Sequence, residues 1–301
     1  MSMNNPTARQ MFLSARTHRK EERLAWENNF YANLYLSNGL WKTTNTHRLD
    51  DVNRLILECI RGRRLDGVLQ VLDVAVSSGI TTIELAQSLR SEGLLFNIIG
   101  TDIAINGSLI SYGRLFHVLC DARRKALQFE MLGHPIANRL GAGLRCWRGS
   151  VQVLVGRMVF YFLSRPCFNS MIRPASTPIC FLTERWREEP NVTFVEEDLL
   201  SSPLDKRQYH VIRACNILNP QVFSQDQLVT AISQLCARLI SGGFLFIVRT
   251  IAHGSNHGAA YELQKDGALR HYASLGNGCE VESAVLSANA GRFRVHISTA
   301  E

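Results

Sequence analysis

The stretch "VLQVLDVAVSSGITTIELAQ", residues 68–87, joins two periodic patterns through a short polar turn. Its first part is the apolar run of a buried strand, and "TTIELAQSLRSEG" (81–93) has helical spacing and ends at Gly93. "FNIIGTDI" (96–103) is typical of a second strand. The order predicts a βαβ unit with parallel strands and a right-handed crossover. Because ligands of such sheets bind outside the carboxyl ends of the strands, the turn at 75–79 is a candidate site.

Two cofactor motifs can be tested against this turn. The dinucleotide pattern G-x-G-x-x-G falls on Ala75, Ser77 and Ile80, and a bulky isoleucine stands where close helix–strand packing needs glycine or alanine. The pattern D-x-G-x-G-x-G falls on Asp73, Ala75, Ser77 and Gly79, which keeps the acid, two small residues and the last glycine. The second motif is therefore the better match.

Three further stretches follow in the order that one known family shows. They are "VTFVEEDLL" (192–200), "YHVIRACNIL" (209–218) and, after a helix that Ser224 is predicted to cap, "ISGGFLFIV" (240–248). With these, the chain resembles the class I S-adenosylmethionine-dependent methyltransferases over about residues 68–110 and 191–250. The resemblance implies that Asp102 binds the ribose hydroxyls and that Asp198 faces the adenine amino group. The whole set that it implies for binding S-adenosyl-L-methionine is Asp73, Ala75, Ser77, Gly79, Asp102, Ile103, Asp198, Leu199, Ala214 and Asn216.

The chain departs from the family at several positions. Ala75 and Ser77 replace two glycines, and His210 stands where the family often has an acid. "RACN" lacks the N-P-P-Y type of sequence, which disfavours methylation of an exocyclic base nitrogen. Methyl transfer needs an aligned acceptor in a dry pocket, and it needs a base only for a protonated acceptor. His257 and His253, in the glycine-containing "RTIAHGSNHGAAYEL" (249–263), are the catalytic candidates; the alternative is that they are ordinary loop histidines.

The remaining segments predict the organisation. Residues 1–66 form a helical leader, with Asp50 or Asp51 as a cap, and residues 67–301 form the methyltransferase-like domain with an insertion at 111–190. "RLFHVLCDARRKALQFEMLG" (114–133) predicts a hairpin, as does "YELQKDGALRHYASL" (261–275) with the turn signal "KDGA", and "GRFRVHIS" (291–298) predicts a late strand. The predicted fold class is α/β, a Rossmann-like doubly wound, mostly parallel sheet with an N-terminal helical region and a hairpin-plus-helix insertion.

The leader and the insertion are expected to cover the carboxyl ends of the strands and to shape the acceptor pocket, with Tyr31, Tyr35 and Trp41 as aromatic walls. "GRMVFYFLSR" (156–165) is interpreted as a buried helix whose arginines extend outward. The alternative is a peripheral membrane or lipid-substrate surface.

Charge and cysteine content bound the function classes. The 33 Lys and Arg against 26 Asp and Glu give +7, but the charge is dispersed apart from "RGRR" (61–64) and "ARRK" (122–125), which disfavours a nucleic-acid binder. The eight cysteines include no C-x-x-C pair, so neither a metal site nor a disulfide framework is expected. Neither a secretory signal nor a transmembrane helix is evident, and a cytoplasmic location is expected.

Three functions remain open. The preferred one is a methyltransferase acting at oxygen or nitrogen of a small-molecule or lipid-like biosynthetic intermediate. The second is a non-catalytic binding or regulatory protein with a methyltransferase-like fold, which the lost glycines favour. The third is an RNA methyltransferase, which the positive charge permits.

Overall fold

The computed structural model describes residues 5–14, 20–35, 42, 45–61, 63, 67–139, 147–201, 208–251 and 254–289. In chain order the principal α-helices are α1 (Lys20–Ala32), α2 (Asp50–Ile60), α3 (Ile80–Ser91), α4 (Trp147–Leu163), α5 (Pro166–Ile172) and α6 (Gln225–Ala237). The strands are β1 (Leu69–Val74), β2 (Phe96–Asp102), β3 (Asn106–Tyr112), β4 (Phe116–Asp121), β5 (Ala126–Met131), β6 (His134–Ala137), β7 (Ala175–Cys180), β8 (Val192–Glu196), β9 (Tyr209–Cys215), β10 (Leu239–Thr250), β11 (Asn256–Leu263) and β12 (Leu269–Leu275).

The chain divides into two compact units. The insertion unit comprises Met1–Asn45 and Ala104–Thr183, and the core unit comprises Thr46–Ile103 and Glu184–Glu301. The sequence-based expectation was a leader over 1–66 and an insertion over 111–190. In the structure, β3 starts the inserted sheet already at Asn106, and α2 packs on the sheet of the core unit.

The core unit holds a seven-stranded sheet with the order β12-β11-β10-β9-β1-β2-β8. Strands β8, β2, β1, β9 and β10 are parallel, and β11 and β12 add to the edge in antiparallel pairing. Counted along the core unit, the order is 3-2-1-4-5-6-7, which is the order of doubly wound nucleotide-binding sheets. The predicted Rossmann-like fold is confirmed, and its strand order reverses between β1 and β9.

Both faces of this sheet are covered by helices, because neighbouring residues of each buried strand point to opposite sides. Val71 and Val211 pack in one cluster with α2 and α3. Leu72 and Ile212 pack in the other cluster, with α6 and the helical segment 282–289. The arrangement leaves the carboxyl edge of the parallel strands as the place where loops meet.

Helix starts test the capping predictions. Ser224 caps α6 through a full capping box with Gln227, as the sequence indicates. At α2 the prediction of an aspartate cap is wrong, because Leu49 occupies the cap position without a side-chain hydrogen bond. Asp51 lies inside the first turn, where its carboxylate accepts hydrogen bonds from the N–H of Val52 and the side chain of Asn256.

The insertion unit has its own antiparallel sheet, in the order β6-β5-β4-β3-β7. The predicted hairpin at 114–133 is confirmed by the pairing of β4 with β5, and the one at 261–275 by the pairing of β11 with β12. The predicted strand at 291–298 lies outside the described residues. Tyr31 is buried in this unit and donates a hydrogen bond to the carbonyl of Phe181, so it belongs to the core rather than to a pocket wall; Trp41 lies outside the described residues.

The interpretation of 156–165 as a buried helix is wrong. Helix α4 packs one face on β5, but the large apolar side chains on its opposite face are about half exposed. No helix in the described part of the chain is long and apolar enough to cross a membrane.

Candidate functional site

The turn after β1 lies at the point where the strand order reverses. Val74, the last residue of β1, pairs with Thr101 of β2 on one side and with Ala214 of β9 on the other. In open α/β sheets this is where the loops of two neighbouring strands diverge and leave a crevice for a ligand. The D-x-G-x-G-x-G match thus occupies the position where the fold forms such a site.

The backbone of this turn explains why the pattern favours glycine. Ala75, Ser77 and Gly79 have φ angles of 60°, 58° and 77°, in the left-handed region. Side chains with a Cβ atom pay about 1–2 kcal/mol in this region, which glycine avoids. Two of the three positions therefore keep the conformation that a glycine-rich turn adopts although they carry other small residues.

We predict that Ala75→Gly and Ser77→Gly each raise the free energy of unfolding by about 0.5–1 kcal/mol. Relief of the left-handed strain exceeds the extra unfolded-state entropy of glycine, which is about 0.5–1 kcal/mol. Urea denaturation would measure the change. Ala231→Gly, inside α6, is the matched control and should lower stability by about 1 kcal/mol; a loss of stability in the turn variants as well would contradict the strain argument.

Asp102 ties the end of β2 to this turn. Its Oδ2 accepts a hydrogen bond of 2.7 Å from the backbone N–H of Ser77, and the N–H of Val76 donates to the carbonyl of Thr101. The side chain of Asp102 is buried. The structure therefore brings together the turn residue and the acid that the sequence singled out, and Ile103 follows them directly at the edge of the sheet.

Asp198 lies after the neighbouring strand β8. The N–H of Glu197 donates to the carbonyl of Asp102, so the segment that carries Asp198 starts beside the end of β2. The carboxylate of Asp198 accepts hydrogen bonds from the N–H of Leu200 and the hydroxyl of Ser201. Leu199 packs against the same hydrophobic cluster as Ala75 and Ala214.

The side chain of Asp73 lies on the face of the sheet that α2 and α3 cover, and it forms hydrogen bonds there. Its two carboxylate oxygens accept hydrogen bonds from Nε and a terminal nitrogen of Arg213, and Oδ2 also accepts from the Thr82 hydroxyl at 2.6 Å. A further nitrogen of Arg213 donates to the side-chain oxygen of Asn53 at 2.8 Å. Asp73 thus links β1, β9, α2 and α3 beneath the turn, and its carboxylate shares no hydrogen-bond partner with those of Asp102 and Asp198 among the bonds described.

Burial and the charge of Asp73 together determine the protonation of Arg213 and Cys215. Burial opposes the charge of Arg213, but the attraction and hydrogen bonds of Asp73 outweigh it, so the pKa of Arg213 is raised. Burial raises the pKa of the neighbouring Cys215 to about 12 despite the nearby Arg213 charge. Cys215 is therefore a thiol at neutral pH and does not supply a nucleophilic thiolate at this edge.

Asn216 anchors the loop after β9. It has a φ of 63°, and its side chain forms hydrogen bonds with both the N–H and the hydroxyl of Thr250. The Thr250 hydroxyl donates to Asn256, whose side-chain nitrogen donates to Asp51 and to the carbonyl of Arg48. This chain of hydrogen bonds joins the ends of β9 and β10, the start of β11 and α2, and it fixes the edge on the β10 side.

The two candidate histidines and His210 differ in their positions and in their hydrogen bonds. His253 lies outside the described residues. His257 is the second residue of β11, and its Nδ1 accepts a hydrogen bond of 2.9 Å from the N–H of Asn277. His210 lies near the start of β9, at the end opposite the carboxyl edge, where burial lowers its pKa and its Nδ1 accepts from the N–H of Gln70.

Sequence reasoning missed Arg213, Thr82 and Asn53, which surround Asp73. An arginine inside the apolar run "YHVIRACNIL" was the available signal, because a buried charge in a central strand requires a counter-charge. Asp73 is that counter-charge. Among the described residues, no group of three or more histidine, cysteine or acidic side chains could hold a metal ion.

Comparisons with known proteins give remote likenesses. No protein family profile and no curated protein matches the chain. Among solved structures, the chain is similar to the CMeT domain of the citrinin polyketide synthase, with 13% identity, a TM-score of 0.35, and 68% of this chain and 35% of that one covered. It is similar to the N-methyltransferase NodS from Bradyrhizobium japonicum in complex with S-adenosyl-l-homocysteine, with 11% identity, a TM-score of 0.34, and 79% and 72% covered. For the [4+2]-cyclase SpnF the identity is 14%, the TM-score 0.33, and the coverage 79% and 57%. The chain spans about a third of the length of the first of these structures.

Proposed function

We propose that the protein is an S-adenosyl-L-methionine-dependent methyltransferase that acts at oxygen or nitrogen of a small-molecule or lipid-like intermediate. The observation that carries the proposal is the turn at 75–79. It keeps three left-handed backbone positions at the reversal of strand order and is hydrogen-bonded to the acid at the end of β2. This combination supports a binding site for a nucleoside-type cofactor.

The residues at this edge fit such a cofactor. The small side chains of Ala75 and Ser77 leave the backbone of the turn approachable, and α3 begins directly after Gly79, so its first N–H groups face the carboxyl edge. Asp102 would hold the ribose hydroxyls, and Asp198 with Leu199 would hold the adenine. When bound, S-adenosyl-L-methionine supplies an activated methyl group on a sulfonium, so the chain's own task is to orient the acceptor and exclude water.

His257 is the residue that we propose to contact the acceptor. Because its Nδ1 accepts from Asn277, the neutral ring carries its proton on Nε2. In this arrangement His257 offers an N–H donor rather than a lone pair, and it suits an acceptor oxygen or nitrogen that needs orientation. A role as base would require the bond to Asn277 to break.

We predict that His257→Ala leaves the affinity for S-adenosylhomocysteine nearly unchanged and lowers methyl transfer about tenfold, the range of one orienting hydrogen bond. Calorimetry measures the first quantity, and transfer of a labelled methyl group to fractionated metabolites measures the second. His271→Ala is the matched control, because His271 is an exposed histidine bonded to Ser274 on β12. Equal transfer by His257→Ala and the unchanged protein would leave His257 with a structural role only.

Mass spectrometry of material carried through purification and calorimetry with S-adenosylhomocysteine test the proposal itself. Bound cofactor or saturable binding supports it, and absence of binding at millimolar ligand contradicts it.

The second candidate, a binding protein without catalysis, is favoured by the strain at Ala75 and Ser77 and by the hydrogen bond at Nδ1 of His257. Cofactor binding without methyl transfer across metabolite pools would identify it.

A further inference from the structure

We infer that the insertion unit is a docking surface for an anionic phospholipid membrane, formed by the exposed face of α4 and the basic cleft beside it. The inference concerns the insertion unit alone and does not depend on the proposed chemistry of the core unit. Three independent features support it: an apolar helix face, a cleft lined by cations, and a segment without acids.

The apolar face consists of large side chains at helical spacing on α4. They are each between 46% and 56% exposed and follow one another at intervals of three, four, three and one residues: Val151, Leu154, Met158, Tyr161 and Phe162. At 3.6 residues per turn these positions fall within roughly a 100° arc of the helix. Monomeric proteins rarely expose such a continuous apolar strip without a partner for it.

The packing of α4 fixes which face is exposed. Val153 is buried, and a Cβ atom at Gly156 would lie 2.8 Å from the ring of Phe129 on β5. The helix therefore approaches the sheet so closely at Gly156 that this face cannot rotate away. The apolar strip on the other side is accordingly a fixed feature of the surface.

A cleft of about 630 Å³ opens beside the strip and shares Tyr161 with it. Four cations line it, namely Arg124, Lys125, Arg157 and Arg165, together with the aromatic side chains Tyr35, Phe129, Phe160 and Tyr161. Nε of Arg157 donates to Asn138, and the guanidinium of Arg165 lies 4.4 Å from the centroid of the Tyr161 ring. Among the described residues no carboxylate forms an ion pair with any of the four cations.

The sequence around the cleft is also positively charged, like the side chains that line the cleft. The 53 residues from 131 to 183 contain no Asp or Glu but six arginines. A protein partner or a second copy of this chain would have to bring all of the acids, whereas a phospholipid surface offers phosphates and an apolar layer directly beneath them. Exposed apolar side chains next to arginines can contact the acyl boundary and the headgroup phosphates of a membrane together. The cleft would take a headgroup phosphate while the strip enters the acyl boundary.

Co-sedimentation of the full chain with vesicles tests the inference. We expect binding to phosphatidylcholine vesicles that contain about 30% phosphatidylglycerol, and at least tenfold weaker binding to pure phosphatidylcholine. R157Q/R165Q should weaken binding to the anionic vesicles about tenfold, and L154N/F162N should weaken it by at least as much.

Matched controls come from the core unit. R61Q/R270Q removes the same charge from exposed arginines, and L95N/L286N removes two leucines that are more exposed than Leu154 and Phe162; both variants should bind the vesicles as the unchanged protein does. Circular dichroism tests whether each variant is folded. If R157Q/R165Q does not fold, K125Q is the milder variant to be measured in its place.

Three outcomes would overturn the inference. One is equal or absent binding to both kinds of vesicle. Another is binding of soluble glycerol phosphate with the same dependence on Arg157 and Arg165 but without vesicle binding, which would assign the cleft to a free phosphate compound. The third is a concentration-dependent dimer that L154N/F162N abolishes while vesicles have no effect, which would assign the strip to a second copy.

Discussion

Arg213→Met is expected to lower the free energy of unfolding by about 3–5 kcal/mol, because it leaves Asp73 buried without its counter-charge. Arg213 is fully buried and Asp73 is 2% exposed, so water cannot replace the lost partner. The substitution also removes the donor to Asn53, whose side-chain oxygen is then left without a partner beneath the sheet. Chemical denaturation followed by circular dichroism measures the loss.

Two controls separate the ion pair from ordinary packing. Arg61→Met breaks the exposed pair with Glu92 and should change stability by less than about 1 kcal/mol. The double variant Arg213→Met with Asp73→Leu removes both charges, and its loss should be smaller than that of Arg213→Met alone, because no charge stays buried. A double variant less stable than the single one would show that packing, and not the charge, dominates at this centre.

The sequence predicted the fold through features that repeat locally. Short-range chemistry determines three of these features: the strand–helix alternation at 68–103, the start of α6 at the Ser224 cap, and the β11–β12 hairpin at the turn "KDGA". The structure confirms all three. The aspartate cap of α2 was wrong for a long-range reason. Asp51 accepts from Asn256, which lies more than two hundred residues away and cannot be identified from the local pattern.

The position of the candidate site was predictable from the local sequence, but the direction of its side chains was not. The spacing of Asp73, Ala75, Ser77 and Gly79 located the turn, because left-handed positions restrict the residue type. The direction of the Asp73 carboxylate depends on Arg213, and that pairing follows from the register between β1 and β9, which no local motif encodes. The exposed face of α4 was only the alternative interpretation of residues 156–165, because an apolar helix has the same composition whether its second face is buried or open.

Asp102→Ala should weaken the binding of S-adenosylhomocysteine about 100-fold. A carboxylate that accepts hydrogen bonds from ligand hydroxyls contributes about 1.5–3 kcal/mol for such bonds, and each 1.4 kcal/mol is a factor of ten in affinity. The substitution also frees the N–H of Ser77, which Asp102 holds at 2.7 Å, so the turn loses an anchor. Asp102→Asn keeps an acceptor for Ser77 without the charge, and its loss should be nearer tenfold.

The matched control is Asp121→Ala in the insertion unit. Asp121 is also buried, also ends a strand and also accepts from a backbone N–H, that of Lys125 at 2.8 Å. Its removal should cost similar stability but leave the affinity measured by calorimetry unchanged, since no part of the proposed cofactor site involves it. If Asp102→Ala and Asp121→Ala bind S-adenosylhomocysteine equally well, Asp102 only fastens the turn, and the cofactor would have to be held by other groups at this edge.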